Sequence, residues 1–120
     1  MATRGTIEFF VSENFQNSEN FKLLCTIYQH FDMYVSGLKE KLIAAINHQF
    51  NENKQLAVSF LAANTDSELT TSSESHGDLE YKYQIFEGHD KKTITVHMWS
   101  FEHKKWIEIV SKKELNSFLY

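Results

Sequence analysis

The sequence predicts a single α+β domain over residues 1–120, a mostly antiparallel sheet of about five strands with two or three helices packed on one face. Three observations carry this expectation. Apolar and polar residues alternate in five separate stretches. One long stretch repeats every three to four residues instead. And 120 residues with 42% hydrophobic and 14% aromatic content supply one core with little left for a second.

The first strand is expected at 4–12, where Ile7, Phe9 and Val11 alternate with Thr6, Glu8 and Phe10. A polar connection, Glu13–Asn20, leads to a second strand at 21–30, with Leu23, Cys25 and Ile27 on one side and Lys22, Thr26 and His30 on the other. Together these read as an antiparallel hairpin. The period then changes. Leu38, Leu42, Ile46 and Phe50 recur every four residues, which predicts a helix over 37–52 with Ser36 as its N-cap. Leu56, Ala57, Phe60 and Leu61 predict a short buried helix at 55–63, although Val58 and Phe60 keep a strand open.

Residues 64–78 read as an acidic surface loop, since seven of the eleven residues Thr65–Ser75 are Ser or Thr. Beyond it, Leu79, Tyr81, Tyr83 and Ile85 alternate with Glu80, Lys82 and Gln84, giving a strand at 79–87. Gly88-His89-Asp90 supplies a turn. Ile94, Val96 and Met98 mark a fourth strand at 92–101, and Trp106–Val110 a fifth at 105–110. Ser111 and Glu114 have capping-box spacing, so a last helix is expected at 112–119 with Leu115, Phe118 and Leu119 on its apolar side.

Charge excludes some classes of function. Twelve Lys and Arg against sixteen Asp and Glu leave a net charge of −4, which argues against a binder of phosphate backbones. The surplus is also too thin for a mimic of nucleic acid. No stretch has the length of a membrane span or the look of a signal-peptide core, so no membrane partner is expected. The one cysteine, Cys25, cannot form an internal disulfide and falls on the predicted core side of its strand.

No nucleotide-binding glycine loop, paired CxxC or GxSxG motif occurs, so no catalytic residue, metal ligand or cofactor is assigned. Two His-x-Asp pairs remain, His30 with Asp32 and His76 with Asp78. Residues two apart on a strand share a face, so each pair could offer an imidazole and a carboxylate to one divalent metal that activates water. Both pairs abut predicted turns, however, where Asp serves local backbone hydrogen bonds. The seventeen aromatic residues (two Trp, five Tyr, ten Phe) pose a different question. Phe10, Tyr28, Phe86, Trp99 and Trp106 share strand faces with polar neighbours and are hard to bury beneath helices on one side only. Exposed aromatic clusters of this kind mark protein interfaces; the alternative is a second layer of cover, from the helices or a dimer mate.

The opening Ala2-Thr3-Arg4-Gly5-Thr6-Ile7 precedes the segment Ile27-Tyr28-Gln29-His30-Phe31-Asp32-Met33-Tyr34-Val35-Ser36-Gly37-Leu38. With Ser75-His76-Gly77-Asp78-Leu79-Glu80-Tyr81-Lys82-Tyr83, it resembles a group of small phage and prophage proteins. These open Met-Ala-Thr-Arg and carry Tyr-x-His-Trp/Phe-Asp-x-Tyr-x-x-Gly before a helix. Val35 stands where that group often has proline. The resemblance implies a virus-encoded protein acting in the cytoplasm of an infected bacterium.

The expectation that follows is a non-enzymatic protein that binds and inhibits a host protein, such as a component of antiviral defence. Its candidate contact residues are Tyr28, His30, Asp32, Tyr34, His76, Asp78, Trp99 and Trp106. A homodimer is a further expectation, from the surplus aromatics and open strand edges. The alternatives are a metal-assisted hydrolase using His30, Asp32, His76 and Asp78, and a protein that sequesters a nucleotide in a pocket behind the 28–37 turn.

Overall fold

A computed structural model describes residues 3–12, 20–48, 55–77, 79–88, 93–115 and 117. The chain is α+β. Its order is β1 (Gly5–Ser12), β2 (Phe21–Gln29), α1 (Val35–His48), α2 (Leu56–Ala63), β3 (Glu68–Thr70), β4 (Tyr81–Glu87), β5 (Thr93–Ser100) and β6 (Lys105–Glu114). A 3₁₀ turn, Ser73–Ser75, lies between β3 and β4.

Among the described residues the strands form one six-stranded sheet in the order β3-β2-β1-β4-β5-β6. The sheet is mixed. β1 and β4 run parallel, while the other neighbours are antiparallel. Parallel neighbours need a long crossover, and here it holds everything from β2 to β3.

Alternation splits each strand into two sides. Ile7 and Phe9 of β1 pair with Ile27 and Cys25 of β2 and with Tyr83 and Ile85 of β4. Ile94 and Val96 of β5 extend the same side. Leu38, Leu42, Ala45 and Ile46 of α1, with Leu56, Ala57 and Phe60 of α2, complete this core. The Phe9 and Phe60 rings meet 5.5 Å apart. Fully burying each such side chain is worth about 1.5–3 kcal/mol.

The corner between β2 and α1 is fixed by backbone contacts. Asp32 has left-handed backbone (φ 59), and its N–H donates to Thr3 Oγ1 at 2.9 Å. Met33 is buried, its N–H donates to the Thr3 carbonyl, and its own carbonyl accepts the Tyr83 hydroxyl at 2.6 Å. The φ of Gly37 is not positive, but a Cβ there would run into the Asp32 carbonyl oxygen. Glycine is required by this close approach. The helix begins at Val35, so Ser36 lies inside its first turn and is not the N-cap.

At α2 the Gln55 side chain makes no capping bond. Glu87, buried on β4, accepts the Leu56 N–H at 3.0 Å and takes that role from 31 residues away. A carboxylate at a helix N-terminus meets unsatisfied N–H groups and a favourable dipole.

The sheet is mostly antiparallel as expected, with six strands and one parallel pair, because the chain leaves the β1–β2 hairpin and returns on the far side of β1. Two expectations need correction. The helix expected at 112–119 does not form over its first residues: β6 runs on to Glu114, with Lys113 and Glu114 paired to Ile94 and Thr93. Long-range pairing overrides the local capping-box spacing there, and residues 116 and 118–120 lie outside the described residues. The loop expected at 64–78 contains the edge strand β3 and the 3₁₀ turn.

Candidate functional site

Both α1 and α2 lie on one side of the sheet, and among the described residues no helix covers the other side. The crossover chain supplies part of its cover. To pass from β3 to β4 it crosses β2 and β1, and the Ser73–Ser75 turn sits on this second face. Ser73 is buried there. Its Oγ lies 2.8 Å from Thr6 Oγ1 and donates to Glu8 Oε2 at 3.4 Å, while Gln84 Nε2 donates to Glu8 Oε1 at 2.9 Å. The serine-rich stretch that reads as a loop is thus partly a polar seam.

At one end of this seam three of the expected contact residues meet. The Tyr28 ring stacks on His76 with centroids 4.3 Å apart, and its hydroxyl lies 3.1 Å from His30 Nδ1. Arg4 Nε donates to the same His30 nitrogen at 3.4 Å, and Phe31 meets the imidazole edge-on. His76 Nε2 lies 2.8 Å from Thr70 Oγ1, joining the crossover to β3. These contacts clamp the crossover to the sheet. Buried Tyr28 is the post.

Asp32 and Tyr34 do not join that cluster. β2 ends at Gln29, so His30 and Asp32 are not strand neighbours sharing a face, and Asp32 lies exposed on a left-handed backbone. Tyr34 is exposed at the start of α1. Asp78 lies outside the described residues. Among the described residues no group of three or more His, Cys, Asp or Glu side chains is arranged to hold a metal. Cys25 is half-buried, and burial pushes its thiol up, away from the thiolate form a nucleophile needs.

The other two expected residues lie together elsewhere on the same face. Trp99 of β5 and Trp106 of β6 are directly paired across the strands, their rings 5.3 Å apart and edge to face. Lys82 of β4 places its ammonium 5.0 Å from the Trp99 ring and 5.9 Å from Trp106. Such cation–π contacts are worth about 0.5–1 kcal/mol at exposed sites.

Toward the other end of these strands, on the same face, lies a row that sequence reasoning saw only in part. Phe10 stacks on Phe86 at 4.7 Å, and Phe21 and His97 meet the Phe86 ring edge-on at 5.1 and 5.0 Å. Phe10 and Phe86 stood out by their polar strand neighbours. Phe21 did not, because the pairing of β1 with β2 shifts between Phe9 and Phe10, opposite Cys25 and Leu23. This bulge changes the parity of β2, turning Phe21 to the open face and leaving Leu23 and Leu24 exposed.

Beside this row lies a groove of about 380 Å³. It sits between the phenylalanines and β5–β6, away from the 28–37 turn where a ligand pocket was expected.

No protein-family model, curated protein or solved structure matches the chain. Among the described residues no helix is long and apolar enough to cross a membrane.

Proposed function

We propose that this chain is a non-enzymatic, phage-type domain that docks a host protein on the sheet face opposite α1 and α2 and inhibits it. A component of antiviral defence is the partner class, since small phage-borne domains without a catalytic motif are often inhibitors of host machinery. The observation that carries the reading is the Trp99–Trp106 pair with Lys82, half-exposed on the sheet face opposite α1 and α2. Tryptophan, tyrosine and arginine dominate the energetics of protein interfaces, because a large rigid ring buries much area at small entropic cost. The neighbouring Phe10–Phe86 stack continues the same surface.

The test is affinity capture from host lysate with three tagged forms: the parent chain, Trp99→Ala/Trp106→Ala, and Lys39→Ala/Glu40→Ala on the exposed side of α1. A host protein held by the parent and the helix variant but lost from the tryptophan variant supports the reading. Failure to retain any host protein, or equal retention by all three forms, sinks it.

A further inference from the structure

The sheet face opposite α1 and α2 carries a bump at one corner and a hollow at another. The bump is the Ser73–Ser75 turn, seated on β1 through Thr6 and Glu8. The hollow is the groove of about 380 Å³, walled by Phe86, Thr95, Glu108 and Lys112. Strand register sets the two at opposite corners. Glu8, Gln84, His97 and Glu108 form one row across β1, β4, β5 and β6. Trp99 and Trp106 lie one row toward the Thr6 end, with Lys82 beside them. Phe10, Phe86 and Thr95 form the row on the other side, and Lys112 joins it by donating its N–H to Thr95 Oγ1.

Charge follows the same diagonal. Glu74 is exposed in the middle of the turn, and Lys112 lines the groove. Lys82 on β4 and Glu108 on β6 lie two strands and one row apart, in the same sense across the face. Among the described residues none of these four charges has an ion-pair partner. The two remaining corners are aromatic, Trp99 with Trp106 at one and Phe10 with Phe86 at the other. A line drawn from the tryptophan pair to the phenylalanine pair therefore has the bump on one side and the hollow on the other, with opposite charges facing each other across it. A two-fold axis along that line, between two copies, turns each of these oppositions into a contact.

We propose that a second copy of the chain occupies this face in the free protein. The Ser73–Ser75 turn of each copy enters the groove of the other, bringing Glu74 against Lys112. Lys82 of each copy meets Glu108 of the other. The tryptophan and phenylalanine pairs lie on the axis and pack against their own counterparts, where burial of large rings supplies affinity. A face whose relief and charge are complementary under one two-fold fits itself, whereas an unrelated partner would have to reproduce the match feature by feature. The dimer does not rest on the host-docking reading; the two occupants share the face and exclude one another.

Light scattering over a concentration series, on the purified chain with no host protein present, tests it. A mass twice the 14.1 kDa of one chain is expected at the upper concentrations. Lys82→Glu and Glu108→Lys should each weaken the dimer by about tenfold or more, because like charges then meet at two places in every dimer. The combined variant Lys82→Glu/Glu108→Lys should regain most of that loss, since the charges are only exchanged. Glu74→Lys, Lys112→Glu and their combination should behave in the same way at two exposed positions, and a thermal melt confirms that all variants fold. Lys39→Ala/Glu40→Ala on α1 should leave the mass unchanged. A chain that stays monomeric up to millimolar concentration overturns the proposal. So do single reversals that leave the dimer intact, or exchanges that leave it as weak as the singles. None of these outcomes depends on capture of a host protein, so the two readings fail separately.

Discussion

The two faces of the sheet are built from the same strands and follow different rules. Toward the helices, β1, β2 and β4 contribute Ile7, Phe9, Ile27, Tyr83 and Ile85, all closed to solvent. One residue along, β1 and β4 contribute Glu8, Phe10, Lys82, Gln84 and Phe86, which are only half covered. The first face is held by close-packed aliphatic and aromatic volume, where every atom has neighbours. The second is held by ring stacks, a cation over two indoles and a hydrogen-bonded seam. Losses should therefore be large and structural on the first face, and small in stability but large in recognition on the second.

The hardest test of this contrast is Phe60→Ala. Phe60 of α2 is fully buried against Phe9, and truncation leaves a cavity, so a loss of about 3–5 kcal/mol is expected from denaturant unfolding. A loss below about 1 kcal/mol would mean that the helices are loosely seated and that the two faces hardly differ.

Glu87→Ala comes next. The carboxylate lies on the helix side yet is polar, and its removal leaves the Leu56 N–H at the start of α2 without that acceptor. A loss of about 1–3 kcal/mol is expected. Amide exchange sharpens the result: protection should fall in α2 before it falls in β4.

On the open face Trp106→Ala removes an edge-to-face ring contact and part of a cation–π contact. A cost of about 1–2 kcal/mol is expected by thermal or chemical unfolding. A cost matching that of Phe60→Ala would place Trp106 in a second core and weaken its claim to be a docking residue.

The contrast between faces was partly legible in the sequence. Period-two alternation singled out Phe10, Tyr28, Phe86, Trp99 and Trp106 as residues that helices on one side could not cover, and all five lie on the face opposite the helices. Alternation fails where pairing is irregular. The bulge opposite Phe9 and Phe10 is set by two strands at once, so no pattern within residues 21–30 could place Phe21. Edge strand β3 has three residues, too few for a period. β6 outran its expected end because Thr93 and Ile94 pair with it, while Ser111 and Glu114 obeyed a local helical rule. The meeting of Tyr28 with His76 depends on a crossover path that begins at the far edge of the sheet. Sequence spacing carries no trace of that.

Tyr83 gives the smallest effect at neutral pH and tests the contrast in a different way. It is the one tyrosine of the described core with its ring fully buried on the helix side, and its hydroxyl donates to the Met33 carbonyl. Tyr83→Phe keeps the ring and loses that bond, a cost of about 1 kcal/mol. Burial, with the nearby Tyr81 adding to it, pushes the phenol well above its ordinary value of about 10. The folded state thus holds the proton where the unfolded chain has released it. The stability this brings is fully present below pH of about 10 and is lost as pH rises past that value toward the folded-state value. Melting temperatures across that alkaline range should fall more steeply for the parent chain than for Tyr83→Phe. Parallel curves would mean that water reaches the hydroxyl, and then the helix-covered side would not be the dry face that sets it apart from the other.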